Sequence, residues 1–258
     1  MPLRHATAEL RAATDPAPPF SALLARLALA GVAAGVLSGT WQLLVTERAI
    51  SPALALEKAR AAETGEHSVE TFSRPTQLIG GFLGTVVAAV AFSLVVATVY
   101  AAVRHRVPGR TDGVRLITLT TIGFAIFALL PAVKIPGNPP AVGDPTTVGS
   151  RTAIYGAVLA SGIVATVLVA LLVSALHRRG TSTAAVAAAG TAAGVALVAL
   201  IVLLLPDSPD AIPADVPAAV VWDFRLASLG QLAVLWASLG LAGGWLLDRL
   251  RRIPARTR

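Results

Sequence analysis

Apolar positions along the chain gather into six long uncharged runs, at 27–46, 76–103, 116–133, 152–176, 180–206 and 226–247, with ionisable residues collected between them. At 1.5 Å per residue, about 20 residues cross a hydrocarbon core of about 30 Å, and every run is long enough. The pattern predicts an all-α polytopic membrane protein, a six-helix transmembrane bundle. The expected organisation is an N-terminal arm over 1–22, a six-span membrane domain over 23–248 and a basic tail over 249–258. Three connections are long, at about 47–75, 134–151 and 206–225, and they alternate with two short ones at 104–115 and 177–179. The first run lacks a small-residue cleavage site, so it is expected to remain as the first span.

Charge changes this picture by orienting it. The chain holds 21 Lys and Arg against 14 Asp and Glu. The N-terminal arm with Arg26, the two short connections and the tail with Asp248 carry 14 of the positive residues and 4 of the acids; the three long connections carry 7 and 10. Arg and Lys near span ends are retained in the cytoplasm, so both termini are expected there, in a multi-pass protein of the cell membrane. The basic balance is then a topology signal, and a nucleic-acid partner is not expected. The chain has no cysteine, which excludes disulfides, thiolate metal sites and a cysteine nucleophile.

Small residues recur four apart within the spans, at Gly31, Gly35 and Gly39, at Gly80 and Gly84, at Gly190 and Gly194, and at Gly240 and Gly244. Close backbone approach through such stripes is a main route to helix packing in lipid. No internal repeat is evident, so an inverted-repeat architecture has no support.

The short connections read as turns, with Thr111 or Asp112 capping the third span and Ser182 the fifth. Their arginines, beside His105 and His177, read as topology anchors and lipid contacts. The long connections are chemically richer. Ser51 and Pro52 suggest a helix N-cap and first position, opening an interfacial helix. Beyond it, Glu63, Glu66, His67 and Glu70 follow helical spacing, which suits either a borderline divalent cation or a solvated acidic face. Pro136, Pro139, Pro140 and Pro145 prevent continuous helix in the second connection, and Asp144 before Pro145 is placed to cap the fourth span. Such a stiff segment either presents Asn138, Asp144 and carbonyl oxygens to a cation or is a rigid turn with Lys134 and Arg151 reaching the headgroups. In the third, Asp215 is placed to cap the sixth helix, Trp222 sits like an interfacial belt residue, and Arg225 calls for a partner such as Asp223, Asp144 or Glu70.

Two stretches are long enough to carry a resemblance: KIPGNPPAVGDPTTVGSRTAIY over 134–155 and VPAAVVWDFRLASLGQLAVLW over 216–236. Both resemble the signature of the CbtA family of predicted cobalt transporter subunits, and the span pattern around them agrees. The residues that carry it are Lys134, Pro136, Asn138, Pro139, Pro140, Gly143, Asp144, Arg151, Thr152 and Tyr155, then Trp222, Phe224, Arg225, Leu226, Ser228 and Gly230. Ser73, Arg74 and Gln77 resemble the family's entry to the second span. The resemblance implies a membrane component of cobalt supply for corrinoid synthesis, paired with a small single-span, His-bearing partner subunit. The first long connection departs from the pattern, since it keeps only His67 where relatives are richer in histidine.

A GxxxxGK phosphate loop, an HExxH pair and a GxSxG elbow are all missing from the sequence, so neither nucleotide hydrolysis nor other catalysis is expected, and no cofactor. Cobalt(II) would be cargo. The expected metal-handling residues are Asn138 and Asp144, with His67, Glu66 and Glu70 as an outer capture site; Lys134, Pro139, Pro140, Arg151, Tyr155, Trp222 and Arg225 would shape the external vestibule. The alternative is a non-transporting membrane scaffold that assembles a partner protein on the same loops.

Overall fold

The computed structural model describes residues 18–65, 72–140 and 142–250, and among them it is helical without strands. Helix α1 (Phe20–Trp41) passes through a π-helical turn (Gln42–Thr46) into α2 (Glu47–Thr64). Helix α3 covers Arg74–Val103. Helix α4 (Asp112–Phe124) continues through a second π turn (Ala125–Leu129) into the short α5 (Leu130–Lys134). A 3-10 turn (Pro145–Thr147) leads into α6 (Val148–Arg178), followed by α7 (Thr183–Leu204) and α8 (Ala218–Leu250). Among the described residues, six helical stretches are long and apolar enough to cross a membrane.

The residues form two compact units. Among those described, one unit takes the chain up to Leu43, Thr71–Ile122 and Gln231 onward; the other takes Leu44–Glu70 and Gly123–Gly230. In the first, α1 lies on α3 through its glycine stripe. A Cβ on Gly35 would stand 2.7 Å from the Cα of Val86, and one on Gly39 would stand 2.7 Å from the Phe82 ring. Leu23, Leu27, Ala30 and Ala34 of α1 meet Val96, Ala97 and Tyr100 of α3, Leu116 of α4, and Leu239 and Leu247 of α8 in one buried core. Helices α4 and α8 touch at Gly113 and Gly244, whose absent side chains allow backbone to meet backbone.

Charges close the end of this unit. The Asp112 carboxylate is fully buried, accepts from the Tyr100 hydroxyl at 2.7 Å and pairs with Arg104 at 2.9 Å. Asp248 accepts from the Thr111 hydroxyl at 3.0 Å and from the Gly113 amide at 2.9 Å. Thr111 also caps α4 through the Val114 amide, as the sequence suggested. Arg104 is thus more than the headgroup anchor expected of it: unpaired, the buried Asp112 would be costly, and the arginine neutralises it.

In the second unit α6 and α7 pack side by side, and Leu130, Val158 and Ile201 form a core with α5. Gly180, at φ 71°, closes α6 in the left-handed conformation that glycine adopts without strain, and Ser182 caps α7 through the Ala185 amide. Helices α6 and α7 turn large apolar side chains outward, Leu171, Val195 and Leu203 among them, the arrangement expected where the solvent is lipid. The stripes at Gly31, Gly35 and Gly39, at Gly240 and Gly244, and at Gly190 make interhelical contacts, whereas Gly80, Gly84 and Gly194 face open space. Two expected caps differ. Ser51 lies inside α2 and donates to the Glu47 carbonyl, because the π turn carries the first span straight into α2. Asp215 does not cap α8; it is paired with Arg60 of α2 at 2.6 Å.

Candidate functional site

The proline-rich connection between α5 and α6 is fixed at both ends by charge. Lys134, buried at the end of α5, donates to the Asp207 carboxylate and, at 2.8 Å, to the Val202 carbonyl of α7. Pro139 is buried, and Val142 packs with Val216, Val221 and Leu56, so apolar contacts hold the middle of the loop. Gly143 has φ 141°, outside the range L side chains readily adopt, and this turn delivers Asp144 to the start of α6. Asp144 Oδ1 accepts from the Thr146 amide at 2.8 Å and from its hydroxyl at 2.7 Å. These bonds, the hydroxyl's first, hold the exposed carboxyl below the usual carboxylate range, with the Arg151 charge acting in the same direction.

Beside this loop lies an open cavity of about 380 Å³, lined by Ile135, Asn138, Arg151, Thr152, Tyr155, Ser208 and Asp210 among others. Its organising group is the fully buried Asp210 side chain. Asp210 Oδ2 pairs with Arg151 Nη1 at 3.0 Å and accepts from Asn138 Nδ2 at 3.3 Å, while Oδ1 accepts from the Thr147 hydroxyl. Asn138 Oδ1 in turn accepts from Arg225 Nη2 at 2.9 Å, and Arg225 Nε donates to the Gly137 carbonyl at 3.1 Å. Arg151 also reaches the Asp144 carbonyl, at 3.4 Å, and its own Nε is buried without an acceptor. The Arg225 guanidinium and the buried Asp210 carboxylate therefore hold the Asn138 amide from its two ends, with Arg151 neutralising Asp210, and the donors and acceptors largely satisfy one another.

Asn138, expected to handle metal, and Arg151 and Tyr155, expected to shape the vestibule, line the cavity. Asp144 does not line it; its carbonyl is reached by the lining Arg151, and its Oδ1 is occupied in the cap. Trp222 is 62% exposed, as a belt residue would be. Among the described residues Arg225 takes neutral acceptors rather than Asp144 or Asp223. Glu66, His67 and Glu70 lie outside the described residues. No group of three His, Cys, Asp or Glu side chains that could hold a metal forms among the described residues. Asp210 shares a proline-rich stretch with Asp207, Asp215 and Asp223, and nothing local marks it out; its burial is a tertiary property.

A polytopic helical membrane protein with a charge-clamped polar cavity at its proline-rich loop is the class these features define. A family model described as "Probable cobalt transporter subunit (CbtA)" matches residues 20–248, and the chain belongs to that family. No curated protein and no solved structure matches it significantly.

Proposed function

We propose that the chain is the membrane subunit of a divalent metal uptake system, with cobalt(II) as cargo for corrinoid synthesis, and that the three long connections face outward and collect the ion. Family membership supports the cobalt assignment at the level of a transporter subunit. The observation that carries the route is the Asp210 carboxylate, buried beside an open cavity and neutralised by Arg151 at 3.0 Å. A dication arriving in the cavity competes with the singly charged guanidinium for that carboxylate. Coulomb attraction at equal distance favours the dication about twofold before desolvation is counted. Displacement of Arg151 leaves the Asp210 carboxylate as an oxygen donor, while the Asn138 oxygen stays with Arg225 unless the amide turns. Asp144, whose carbonyl Arg151 also reaches, has an Oδ2 that no described residue engages and that offers a further donor. Glu66, His67 and Glu70 remain the proposed outer capture site, and a small single-span, His-bearing partner would supply the nitrogen ligands this loop lacks. On this reading the subunit moves its cargo without bond-making chemistry of its own.

Radiolabelled cobalt uptake in a transport-deficient host, normalised to membrane abundance, tests the route. Asp210→Asn is expected to lower uptake at least about tenfold, equivalent to about 1.4 kcal/mol. Arg151→Gln combined with Asp210→Asn removes both charges; it is expected to insert normally and to stay uptake-deficient. Full uptake by the double variant would make the pair purely structural. Absence of uptake by the parent chain with its partner present would favour the scaffold reading.

A further inference from the structure

The cavity beside the proline-rich loop is larger and more apolar than a metal ion needs. A water takes up about 30 Å³, so a dication with six waters fills roughly 200 Å³. The cavity holds about 380 Å³ and is walled in part by Ile135, Pro136, Val148 and Tyr155. Cavities of about 300 to 1,000 Å³ with apolar walls and a few polar groups are the kind that take small organic ligands. A hydrated ion gains nothing from such walls, whereas a carbon skeleton does. The polar groups point the same way. Arg151 engages Asp210 Oδ2 through Nη1 alone and leaves its Nε buried without an acceptor, so the carboxylate-binding fork is only half used. Tyr155, in the same wall, has a hydroxyl that no described residue engages.

Charge gives an independent reason. If a dication without a ligand of its own took Asp210, the displaced Arg151 would face it with an uncompensated charge, and Arg225 holds a second positive group on the same loop. An ion that brings a carboxylate removes this obstacle. We infer that the cavity admits the cation as a complex with a small chelating carboxylate, whose carbon skeleton lies against the apolar wall and whose carboxylate passes to Arg151. The exchange balances. One metal–oxygen bond to the chelator breaks and one to Asp210 forms; Arg151 leaves Asp210 for the freed carboxylate, and no proton or electron changes hands. The planar fork then meets a carboxylate through Nε and Nη together, and the chelator's remaining donors keep the ion.

This inference rests on the uptake function proposed above and names the form in which the cargo arrives. The test uses the full-length chain in its native host, against a strain lacking the chromosomal copy, and reads initial uptake of radiolabelled cobalt(II). The ion is given at one total concentration, either in a non-coordinating buffer or with enough histidine or citrate to lower the free ion about a hundredfold. With at least one of the two chelators, the rate is expected to stay within about twofold of the rate without chelator, or to exceed it. A fall that tracks the free ion with both would overturn the inference and leave the uptake function standing; no uptake in any condition would overturn both. Two variants then place the complex. Arg151→Lys keeps the charge and loses Nε and the fork, and Tyr155→Phe keeps the ring and loses the hydroxyl. At parental membrane abundance each is expected to raise the half-saturating concentration of the complex about tenfold. Should Arg151→Lys fail to accumulate, Tyr155→Phe decides the placement alone, and parental kinetics in it would move the complex out of this cavity and overturn the inference.

Discussion

Arg225 donates to Asn138 at 2.9 Å and to the Gly137 carbonyl at 3.1 Å, so two neutral acceptors of one loop hold a charge for which an acid had been expected. Asp144 spends its Oδ1 on the cap of the 3-10 turn ahead of α6, and Asp223, two residues before Arg225 on the same helix, lies on another face of it; Glu70, the third acid expected, is outside the described residues. The planar guanidinium suits this task, because its fork reaches a backbone carbonyl and an amide together. Arg225→Leu is therefore expected to insert normally without stranding a carboxylate, and to free the loop at residues 136–144. Each lost hydrogen bond to the charged group is worth about 1.5–3 kcal/mol locally, with Arg225→Lys intermediate. Limited proteolysis of the loop, read beside cobalt uptake, checks this; an unchanged cleavage rate in Arg225→Leu would show that the loop holds itself.

Asp144 separates capping from ion handling. Asn caps almost as well as Asp, so Asp144→Asn should retain the parental melting temperature at neutral pH while lowering cobalt uptake severalfold. The folded-state carboxyl is held below the usual range, so its stabilising contribution is present above the ordinary carboxylate value and is lost as pH falls through the lowered one. Melting curves of parent and variant should stay parallel from pH 7 down to about 5 and diverge only below about 4. Divergence near neutrality, or parental uptake by the variant, would contradict the respective half of this expectation.

Gly35 and Gly84 make opposite predictions from the same substitution. A methyl on Gly35 meets the Val86 backbone at 2.7 Å, and overpacking of that kind costs about 1–3 kcal/mol. A methyl on Gly84 meets nothing within 4 Å, and alanine improves helix propensity by up to about 1 kcal/mol. Thermal stability in detergent should fall for Gly35→Ala and hold or rise for Gly84→Ala.

Reporter fusions test the orientation. Fusions after Arg179 and at Arg258 should both report cytoplasm, because 14 of the 21 basic residues lie on that side with 4 of the 14 acids. A reporter exposed outside at either point would reverse or break the six-span arrangement.

The spans were legible in the sequence because lipid imposes one dominant rule, and an uncharged run of about 18 residues or more obeys it wherever its neighbours lie. Caps at Thr111, Asp144 and Ser182 were legible because a cap acts over three or four residues. Ser51 misled because a proline after serine looks like a helix start, and the π turn that keeps the helix going has no local signature. Asp210, Arg104 and the partners of Arg225 were hidden for a different reason. Their roles depend on residues as far as 88 positions away, and only the fold brings such groups together.

Helix α7 has 22 residues and α6, packed beside it, has 31. At 1.5 Å per residue these measure about 33 Å and about 46 Å. The shorter helix has nothing to spare against a hydrocarbon layer of about 30 Å, so it sets the bilayer thickness this pair can occupy, while its longer neighbour must tilt or protrude. Lipid acyl length then becomes a variable of the protein itself: in membranes thicker than α7 can match, the Lys134–Asp207 clasp beyond its last turn would be drawn toward the hydrocarbon.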